Sequence, residues 1–264
     1  PLFPGGDKDG RALDPETLGR EVHAVLATAV ARLQGADPVP PPVTVDVAKN
    51  ALVVGGGLAG MTAATAIADH GYGVCLVEQE EELGGMSMRL SSTLEGADPK
   101  KHMEELVAQV EKHPNITVLK DSRVALSAGT AGRFRSAVST PRGPVSVEHG
   151  VTILATGGHE SNVYDYGFRV HKSVLTQLEL EEALASGALD VQNLSSVAMI
   201  QCWRSREEGR EYCSRVCCSQ AVKNVLALKA KKPELPVYVL HRDIMTYGFK
   251  ERYYTEARRR SALF

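Results

Sequence analysis

A surplus of charge of either sign is missing from this sequence of 264 residues: 30 Lys and Arg stand against 32 Asp and Glu, a formal net charge of -2. Balanced charge gives a protein no general attraction to nucleic acid or to an anionic membrane. No apolar run approaches the ~20 residues that a membrane-spanning helix needs. The first thirty residues also lack a basic region followed by an apolar stretch. We therefore expect a cytoplasmic protein with no signal peptide, no membrane insertion and no nucleic-acid partner.

Cysteine is scarce and unevenly distributed. Four of the five cysteines, Cys202, Cys213, Cys217 and Cys218, fall within seventeen residues. A secreted protein held by disulfides would spread its cysteines over the chain, whereas clustering favours metal or redox chemistry. Cys75 stands alone in an apolar strand, and we assign it to the core.

The length predicts two domains. The chain begins at Pro1 rather than Met and ends in "RRRSALF", which resembles the edge of a strand, so we expect a piece of a longer polypeptide. Leu18, Val22 and Val25 begin a helical apolar pattern over 15–33, with Asp14 as N-cap, and a Pro-rich linker follows. The predicted divisions are 1–48 (helix and linker), 49–160 (first α/β domain), 161–193 (connecting segment) and 194–264 (partial second α/β domain).

The two α/β segments rest on alternating strand and helix patterns. From Asn50 the order is strand, Gly-rich turn, helix, strand, loop and helix, and residues 116–155 then switch to short β-rich runs typical of an antiparallel meander that returns to a parallel sheet. From Leu194 a second βαβ unit begins with "SSVAMIQC" and ends at the start of a further strand. The fold class is therefore α/β, with a Rossmann-like domain carrying a meander and part of a second Rossmann-like domain.

The turn after the first strand, "VVGGGLAG", fits G-x-G-x-x-G with Gly55, Gly57 and Gly60. Because it follows a buried strand and opens a helix, its free backbone N–H groups and the helix dipole are expected to face a pyrophosphate. Glu78 ends the second strand, where a carboxylate accepts the ribose hydroxyls of an adenosine. A tight strand-to-helix turn with an incidental glutamate is the alternative.

Two further motifs favour flavin over nicotinamide as the dinucleotide. "EELGG" follows the ribose-binding carboxylate, and "VTILATGG" is a buried strand that ends in small residues. With the meander between them, these motifs resemble the FAD domain of flavoproteins with two dinucleotide-binding domains, such as thioredoxin reductase; NAD(P) is the alternative. The predicted cofactor-binding residues are Gly55, Gly57, Leu58, Ala59, Gly60, Glu78, Gln79, Gly84, Gly85, Met86, Ala155, Thr156 and Gly157.

Flavoproteins of that group usually carry a second glycine loop for NAD(P)H and a C-x-x-C disulfide, and this sequence has neither. After "SSVAMIQC" it reads "WRSREEGREYCSRVCC", which is too bulky to wrap a pyrophosphate. A simple NADPH-driven disulfide reductase is therefore disfavoured.

The spacing of the clustered cysteines is compatible with a four-thiolate site. If the residues from Cys213 onward are helical, Cys213 and Cys217 form an i, i+4 pair with Cβ atoms ~5–6 Å apart. Cys218 then lies a quarter turn away, and Cys202 comes from the end of the neighbouring strand. This pattern suits an iron-sulfur cluster better than zinc, which more usually takes paired C-x-x-C knuckles. Plain core or surface cysteines, zinc and a disulfide remain open, since Cys218 also shares a helical row with Val222.

The sequence resembles the A subunit of heterodisulfide reductase and its relatives, including the A and B subunits of the quinone-interacting membrane-bound oxidoreductase complex. The resemblance is carried, in order along the chain, by the glycine loop, "VLTQLELEEAL", "MIQC", "YCSRVCC" and "VYVLHRDIMTYGFKERYYTEARRR". The resemblance covers most of the chain from about residue 48. It implies an FAD-containing, iron-sulfur electron-transfer protein, and some family members bifurcate electrons at the flavin. It also implies that Cys202, Cys213, Cys217 and Cys218 ligate a [4Fe-4S] cluster. The implied partners are the other subunits of such a complex, with ferredoxin or hydrogenase-type proteins as electron partners.

The sequence departs from the family pattern beside the first cysteine. Where the family usually has Val-Gly-Ser-Arg, this chain has Trp203, Arg204, Ser205 and Arg206, which removes a glycine and bears on loop geometry and cluster loading. The ferredoxin-like cysteine motifs common in the family are absent from this sequence. Two other functions stay open: a non-catalytic assembly module with a structural metal, and an NAD(P)H-dependent flavin reductase.

Overall fold

The structure, a computed structural model, describes residues 14–37, 44, 46–161 and 165–264. The chain forms two compact units, Pro1–Val45 and Asp46–Phe264. The predicted Pro-rich linker lies largely outside the described residues. The predicted divisions at 49, 161 and 194 stay predictions. None of the helices in the described ranges combines the length and the apolar character needed to cross a membrane.

The first unit carries the predicted helix, α1 (Pro15–Gln34). The Asp14 carboxylate caps it by accepting the N–H groups of Glu16 at 3.1 Å and Thr17 at 3.0 Å. Such a cap typically stabilises a helix by about 1 kcal/mol. None of the side chains of α1 is buried among the described residues, and Leu33 is 76% exposed.

The second unit has the predicted alternation of strands and helices. In chain order its elements are β1 (Asn50–Val54), α2 (Leu58–Asp69), β2 (Gly73–Val77), a 3-10 helix (Gly85–Arg89), α3 (Pro99–Lys112), β3 (Ile116–Leu119), β4 (Arg123–Thr130), β5 (Arg133–Thr140), β6 (Gly143–His149), β7 (Val151–Leu154), α4 (Gln177–Ser186), β8 (Val197–Ile200), α5 (Cys217–Lys231), β9 (Val237–Leu240) and α6 (Glu251–Arg259).

A four-stranded parallel sheet in the order β3-β2-β1-β7 forms the first layer. Alternate side chains of its strands point to opposite faces. On one face, Val53 and Leu76 pack with Met61 of α2 and Met103 of α3. On the other face, Leu52 packs with residues of the antiparallel sheet β4-β5-β6. Because both faces of this sheet are covered, its strands read as continuous apolar runs in the sequence.

The sequence analysis predicted β-rich runs in residues 116–155 but did not identify β4 as one of the strands. It forms an antiparallel pair with β5, with a register shift between Val124 and Leu126. Its side chains are mostly exposed, and Leu126 is 66% exposed. A strand with little burial shows no clear alternation of apolar and polar residues, which is why the sequence pattern did not reveal it.

Cys75 lies in β2 on the face that packs against the antiparallel sheet. It is half-buried and packs against the cluster of Leu52, Val77 and Val138. Burial raises the pKa of its thiol to about 11, so Cys75 stays a neutral thiol at physiological pH. This environment agrees with its assignment as a packing residue.

The second predicted βαβ unit is present as β8, α5 and β9, with parallel pairing of Val197 with Val237. Leu263 then bridges Tyr238 in parallel, which is the predicted start of a further strand. Apolar residues of both strands and of α5 form one core with Leu180 and Leu184 of α4, which lies in the predicted connecting segment. The fold class predicted from the sequence is thus confirmed.

Candidate functional site

The glycine motif that follows β1 and opens α2 requires glycine at two positions, Gly55 and Gly60. Gly55 adopts φ +108, and a Cβ there would lie 2.2 Å from the carbonyl oxygen of Ala155. A Cβ on Gly60 would lie 1.8 Å from the carbonyl oxygen of Gly55, so this glycine lets α2 pack directly on the loop. Both contacts fix the start of α2 close to the ends of β1 and β7.

The N-terminus of α2 is open. No described side chain caps it, and a Cβ on Gly57 would meet no atom within 4 Å. Leu58 and Ala59 form the first turn of α2 and are exposed. Because the N–H groups of a helix's first turn have no partner within the helix, this end is available to bind an anion such as a pyrophosphate.

Glu78 follows β2 and places its buried carboxylate against the glycine loop. One oxygen accepts the N–H of Gly56 at 2.5 Å and the other accepts the N–H of Glu80 at 2.9 Å. An ionised carboxylate has about four acceptor positions, so these two hydrogen bonds leave capacity for the hydroxyls of a ribose. Sequence reasoning missed Gly56, although the run of three glycines was a signal for it.

The other two predicted motifs meet the glycine loop. The N–H of Gly84 donates to the carbonyl of Gly56 at 2.8 Å, and the N–H of Ala155 donates to the carbonyl of Val54 at 2.8 Å. A Cβ on Gly85 would lie 3.3 Å from the Cα of Gly57, so the second motif runs directly beside the loop. Three segments far apart in sequence therefore converge at the carboxyl ends of the parallel strands, where ligands of open α/β sheets bind.

The remaining predicted cofactor residues lie on the edges of this cleft. Gln79 is exposed after Glu78, and Met86 is half-buried in the 3-10 helix. Thr156 and Gly157 continue from Ala155 and are exposed. An open helix N-terminus, a carboxylate beside it and two close-passing segments are the parts that a dinucleotide cofactor needs, so the described residues fit FAD.

The helical spacing predicted for the cysteines is wrong at Cys213. Helix α5 begins at Cys217, four residues later than expected, because Arg215 adopts φ +60 and this left-handed conformation interrupts a right-handed helix. Cys213 instead lies in irregular backbone before the helix, where its Sγ accepts the N–H of Arg215 at 3.4 Å. Cys213 and Cys217 are therefore not an i, i+4 pair on one helix.

Cys217 and Cys218 open α5 and have different environments. A hydrogen bond from the Cys218 thiol, together with Ser214 and the backbone of the helix start, lowers the pKa of Cys217 to about 6. Cys218 is buried, and its Sγ donates to the carbonyl of Asp243 at 3.7 Å. Interaction with Cys217 and burial raise the pKa of Cys218.

Cys202 lies at the end of β8 in an irregular loop. Cys202, Arg204 and Arg206 all adopt left-handed backbone conformations, with φ of 59, 46 and 60. Such residues typically cost about 1 kcal/mol or more and persist only where surrounding contacts hold them. Here the indole N–H of Trp203 donates to Asp165 at 2.8 Å. Arg204 is the residue expected to replace a glycine, and its φ lies in the left-handed region that glycine adopts most readily.

All four clustered cysteines are free thiols: Cys217 and Cys218 open α5, Cys213 precedes it by four residues and Cys202 follows β8. Within the ranges that the structure describes, no three His, Cys, Asp or Glu side chains are grouped to hold a metal ion. The donor chemistry nevertheless fits an iron-sulfur cluster, since such clusters take thiolate sulfur as ligand and Cys202, Cys213, Cys217 and Cys218 supply four thiols. Their role as ligands stays a prediction.

Comparison with known proteins agrees with this geometry. The family model described as FAD dependent oxidoreductase matches residues 50–218. A Methanosarcina acetivorans protein, the A subunit of ferredoxin:CoB-CoM heterodisulfide reductase, is 26% identical over 371 residues, covering 91% of this chain and 46% of that protein. The iron-sulfur A subunit of CoB–CoM heterodisulfide reductase from Methanocaldococcus jannaschii is also 26% identical, covering 92% of this chain and 51% of that protein.

This chain thus spans about half the length of the curated relatives it matches. Among solved structures, L-proline dehydrogenase from P. horikoshii is 20% identical, with a TM-score of 0.44, over 63% of this chain and 33% of that one. The predicted resemblance to the A subunit of heterodisulfide reductase is confirmed. Because the family model covers more than half of the chain and includes the whole glycine-loop cleft, the chain belongs to the FAD-dependent oxidoreductase family.

Proposed function

We propose that this chain is the flavin- and iron-sulfur-containing electron-transfer part of a heterodisulfide-reductase-like complex. The observation that carries the proposal is the convergence of three segments, around Gly55, Gly84 and Ala155, on an open helix N-terminus beside a buried carboxylate. This arrangement supports FAD binding in the cleft beside the glycine loop.

The residues of the cleft divide the binding of FAD between them. The first turn of α2 offers N–H groups to the pyrophosphate, and Glu78 accepts the ribose hydroxyls. Gly84 and Gly85 let the chain pass close to the cofactor, and Ala155 and Thr156 border the cleft from β7. When bound, FAD supplies uptake of an electron pair and release of single electrons.

The second proposed cofactor is a [4Fe-4S] cluster held by Cys202, Cys213, Cys217 and Cys218. The lowered pKa of Cys217 favours a thiolate, which is the form that binds metal. A [4Fe-4S] cluster takes four thiolate ligands, the number of cysteines that lie between residues 202 and 218. The nearby arginines supply positive charge that would stabilise an anionic cluster.

The relatives' names indicate the kind of complex in which this chain would work. They describe A subunits of heterodisulfide reductases, and one of the names includes ferredoxin. By extension, partner subunits would supply an electron donor and acceptor to this chain, with ferredoxin as a carrier. Electron bifurcation at the flavin is part of the proposal, since some members of the resembled family perform it.

Cysteine variants test the cluster directly. Cys213→Ser is expected to remove the iron-sulfur absorbance and the EPR signal of the reduced, anaerobically purified protein, because the cluster loses one of four ligands. Cys75→Ala, a cysteine change in β2 away from α5, should leave both signals intact. If Cys213→Ser keeps the full signal and iron content, Cys213 is not a ligand.

The flavin-reductase alternative is tested by stopped-flow mixing of the flavin-loaded protein with NADH or NADPH. The proposal predicts no rapid bleaching of the flavin, since the loop after β8 carries Trp203 and Arg204 where a second glycine loop would be needed. Rapid bleaching by either nucleotide would support the alternative.

A further inference from the structure

Arg206 joins the two loops that surround the cysteine site. The strands β8 and β9 are parallel neighbours, so the loops that follow them leave the same edge of the sheet. Arg206 follows β8 and donates from Nη1 to the carboxylate of Asp243, which follows β9. Arg242 returns the contact by donating to the carbonyl of Arg206 and by pairing with Glu207 at 3.4 Å.

The pair of Arg206 and Asp243 is connected to cysteines on both sides. The carbonyl of Asp243 accepts the thiol of Cys218 at 3.7 Å, so the residue that binds the Arg206 side chain also contacts the start of α5. On the other side, Arg206 lies four residues after Cys202 in the loop that follows β8. Its side chain therefore ties the Cys202 loop to Asp243, the residue that contacts the start of α5.

The backbone of Arg206 supports a specific role. Its φ of +60 is in the left-handed region, where a non-glycine residue is disfavoured. Contacts on both parts of the residue hold this conformation, since the side chain bonds to Asp243 and the carbonyl accepts the guanidinium of Arg242. The backbone turn at Arg206 is therefore tied to the residues that follow β9.

We propose that Arg206 is the positioning residue of the cysteine site. Its contact with Asp243 holds the Cys202 loop against the start of α5, and its positive charge raises the reduction potential of the cluster. The second claim rests on the proposed function, because it needs the cluster; the first claim does not.

The test uses Arg206→Gln, which removes the charge, Arg206→Lys, which keeps it, and Arg89→Gln as a matched control. Arg89 forms an ion pair of similar exposure with Glu182 at 2.8 Å, away from the cysteines. Amide hydrogen exchange, followed by mass spectrometry, measures how firmly segments 202–210 and 241–247 are held. It is measured on protein with and without reconstituted cofactors. Redox titration followed by EPR measures the reduction potential of the cluster.

For Arg206→Gln, we expect the rate of amide hydrogen exchange in both segments to rise at least fivefold. The rise should be smaller in Arg206→Lys and absent in Arg89→Gln. At a fixed potential near the midpoint, Arg206→Gln should lower the ratio of reduced to oxidised cluster about tenfold, which is 59 mV for one electron. Arg206→Lys should restore most of that ratio.

Unchanged exchange in Arg206→Gln overturns the positioning claim, whether or not a cluster is present. A rise in exchange with an unchanged potential overturns the electrostatic claim alone. If the wild-type protein binds no cluster, the proposed function fails and the electrostatic claim falls with it, while the exchange experiment still decides the positioning claim. If only Arg206→Gln loses its cluster, increased exchange in its cofactor-free form supports positioning.

Discussion

At the scale of single residues, two glycines of the motif that opens α2 differ in what a side chain would meet: Gly57 is the N-cap and Gly60 lies in the first turn. A Cβ at Gly57 would meet no protein atom within 4 Å, and its φ of -79 suits any residue, whereas a Cβ at Gly60 would lie 1.8 Å from a backbone oxygen. Gly57 therefore faces the space of the proposed pyrophosphate, and Gly60 faces the fold.

This difference predicts opposite effects of the same substitution. Gly57→Ala should keep the free energy of unfolding of the cofactor-free protein within about 0.5 kcal/mol of wild type. Its affinity for FAD should fall at least tenfold, or about 1.4 kcal/mol. Gly60→Ala should lower the free energy of unfolding of the cofactor-free protein by more than about 2 kcal/mol, because the backbone must move. Urea unfolding and fluorescence titration with FAD measure the two quantities; unchanged FAD affinity in Gly57→Ala would argue against the assigned cleft.

A buried histidine gives the protein an acid sensitivity that is unrelated to the cofactors. His149 is fully buried in β6, where its Nδ1 lies 3.1 Å from the carbonyl of Val151 and its Nε2 lies 2.8 Å from the hydroxyl of Ser136. Burial lowers the pKa of His149, with the Val151 hydrogen bond opposing it. Below pH ~6.5 the unfolded chain then binds a proton that the folded chain does not.

The free energy of unfolding should therefore fall as the pH drops below ~6.5, by up to ~1.4 kcal/mol per pH unit from this group. His149→Gln should lose this component, whatever its cost at neutral pH. The exposed His102, changed to Gln, should keep the wild-type dependence. Urea unfolding between pH 5 and 8 provides the comparison, and parallel profiles for wild type and His149→Gln would disprove the assignment.

At the scale of elements, a buried ion pair joins α4, α5 and the segment after the 3-10 helix. Lys223 of α5 donates to Glu181 of α4 at 2.7 Å and to the carbonyl of Ser92 at 2.7 Å. Glu181 also accepts the N–H of Ser91 at 2.7 Å. Although burial opposes the shift, the hydrogen bonds from Lys223 and Ser91 lower the pKa of Glu181.

Lys223→Met should lower the free energy of unfolding by about 3–5 kcal/mol, because it leaves the buried Glu181 charge without its partner. Arg89→Met removes an exposed pair between the same 3-10 helix region and α4, and should cost less than about 1 kcal/mol. The double variant Lys223→Met with Glu181→Leu should recover much of the loss. Equal costs for the two single variants, measured by urea unfolding, would contradict this ranking.

Elements with local signals could be predicted from the sequence. The strand, glycine loop and helix of the first βαβ unit follow from buried apolar runs and close-packing glycines, and α1 follows from Asp14 and its apolar period. The start of α5 could not be predicted, because its N-cap, Val216, has no side chain that bonds to the helix. The left-handed turn at Arg215 depends on contacts of the Cys213 sulfur, which no local pattern reveals.

In the candidate site too, some contacts could be predicted from the sequence and others could not. The convergence of the glycine loop with Gly84 and Ala155 could be predicted, since all three motifs end parallel strands or directly follow them. The contact of Glu78 with Gly56 and the link from Arg206 to Asp243 could not, because each joins residues more than twenty positions apart through side-chain geometry. Sequence spacing alone placed Cys213, Cys217 and Cys218 on one helix, and the structure places Cys213 before that helix.

At the scale of the whole molecule, charge is distributed unevenly although the total is near zero. Residues 202–264 carry 14 Lys and Arg against 7 Asp and Glu, whereas the rest of the chain carries 16 against 25. The positive part includes all four clustered cysteines. A positive environment favours an anionic cluster and would attract an acidic electron-transfer partner.

The central claim is that one chain holds both a flavin and an iron-sulfur cluster. The most direct measurement is the cofactor content of the anaerobically purified and reconstituted protein, with FAD, iron and acid-labile sulfide quantified per chain and the reduced sample examined by EPR. The account predicts one FAD and about four iron and four sulfide per chain, with an EPR signal on reduction. A colourless protein with neither flavin absorbance nor a reducible cluster would contradict it.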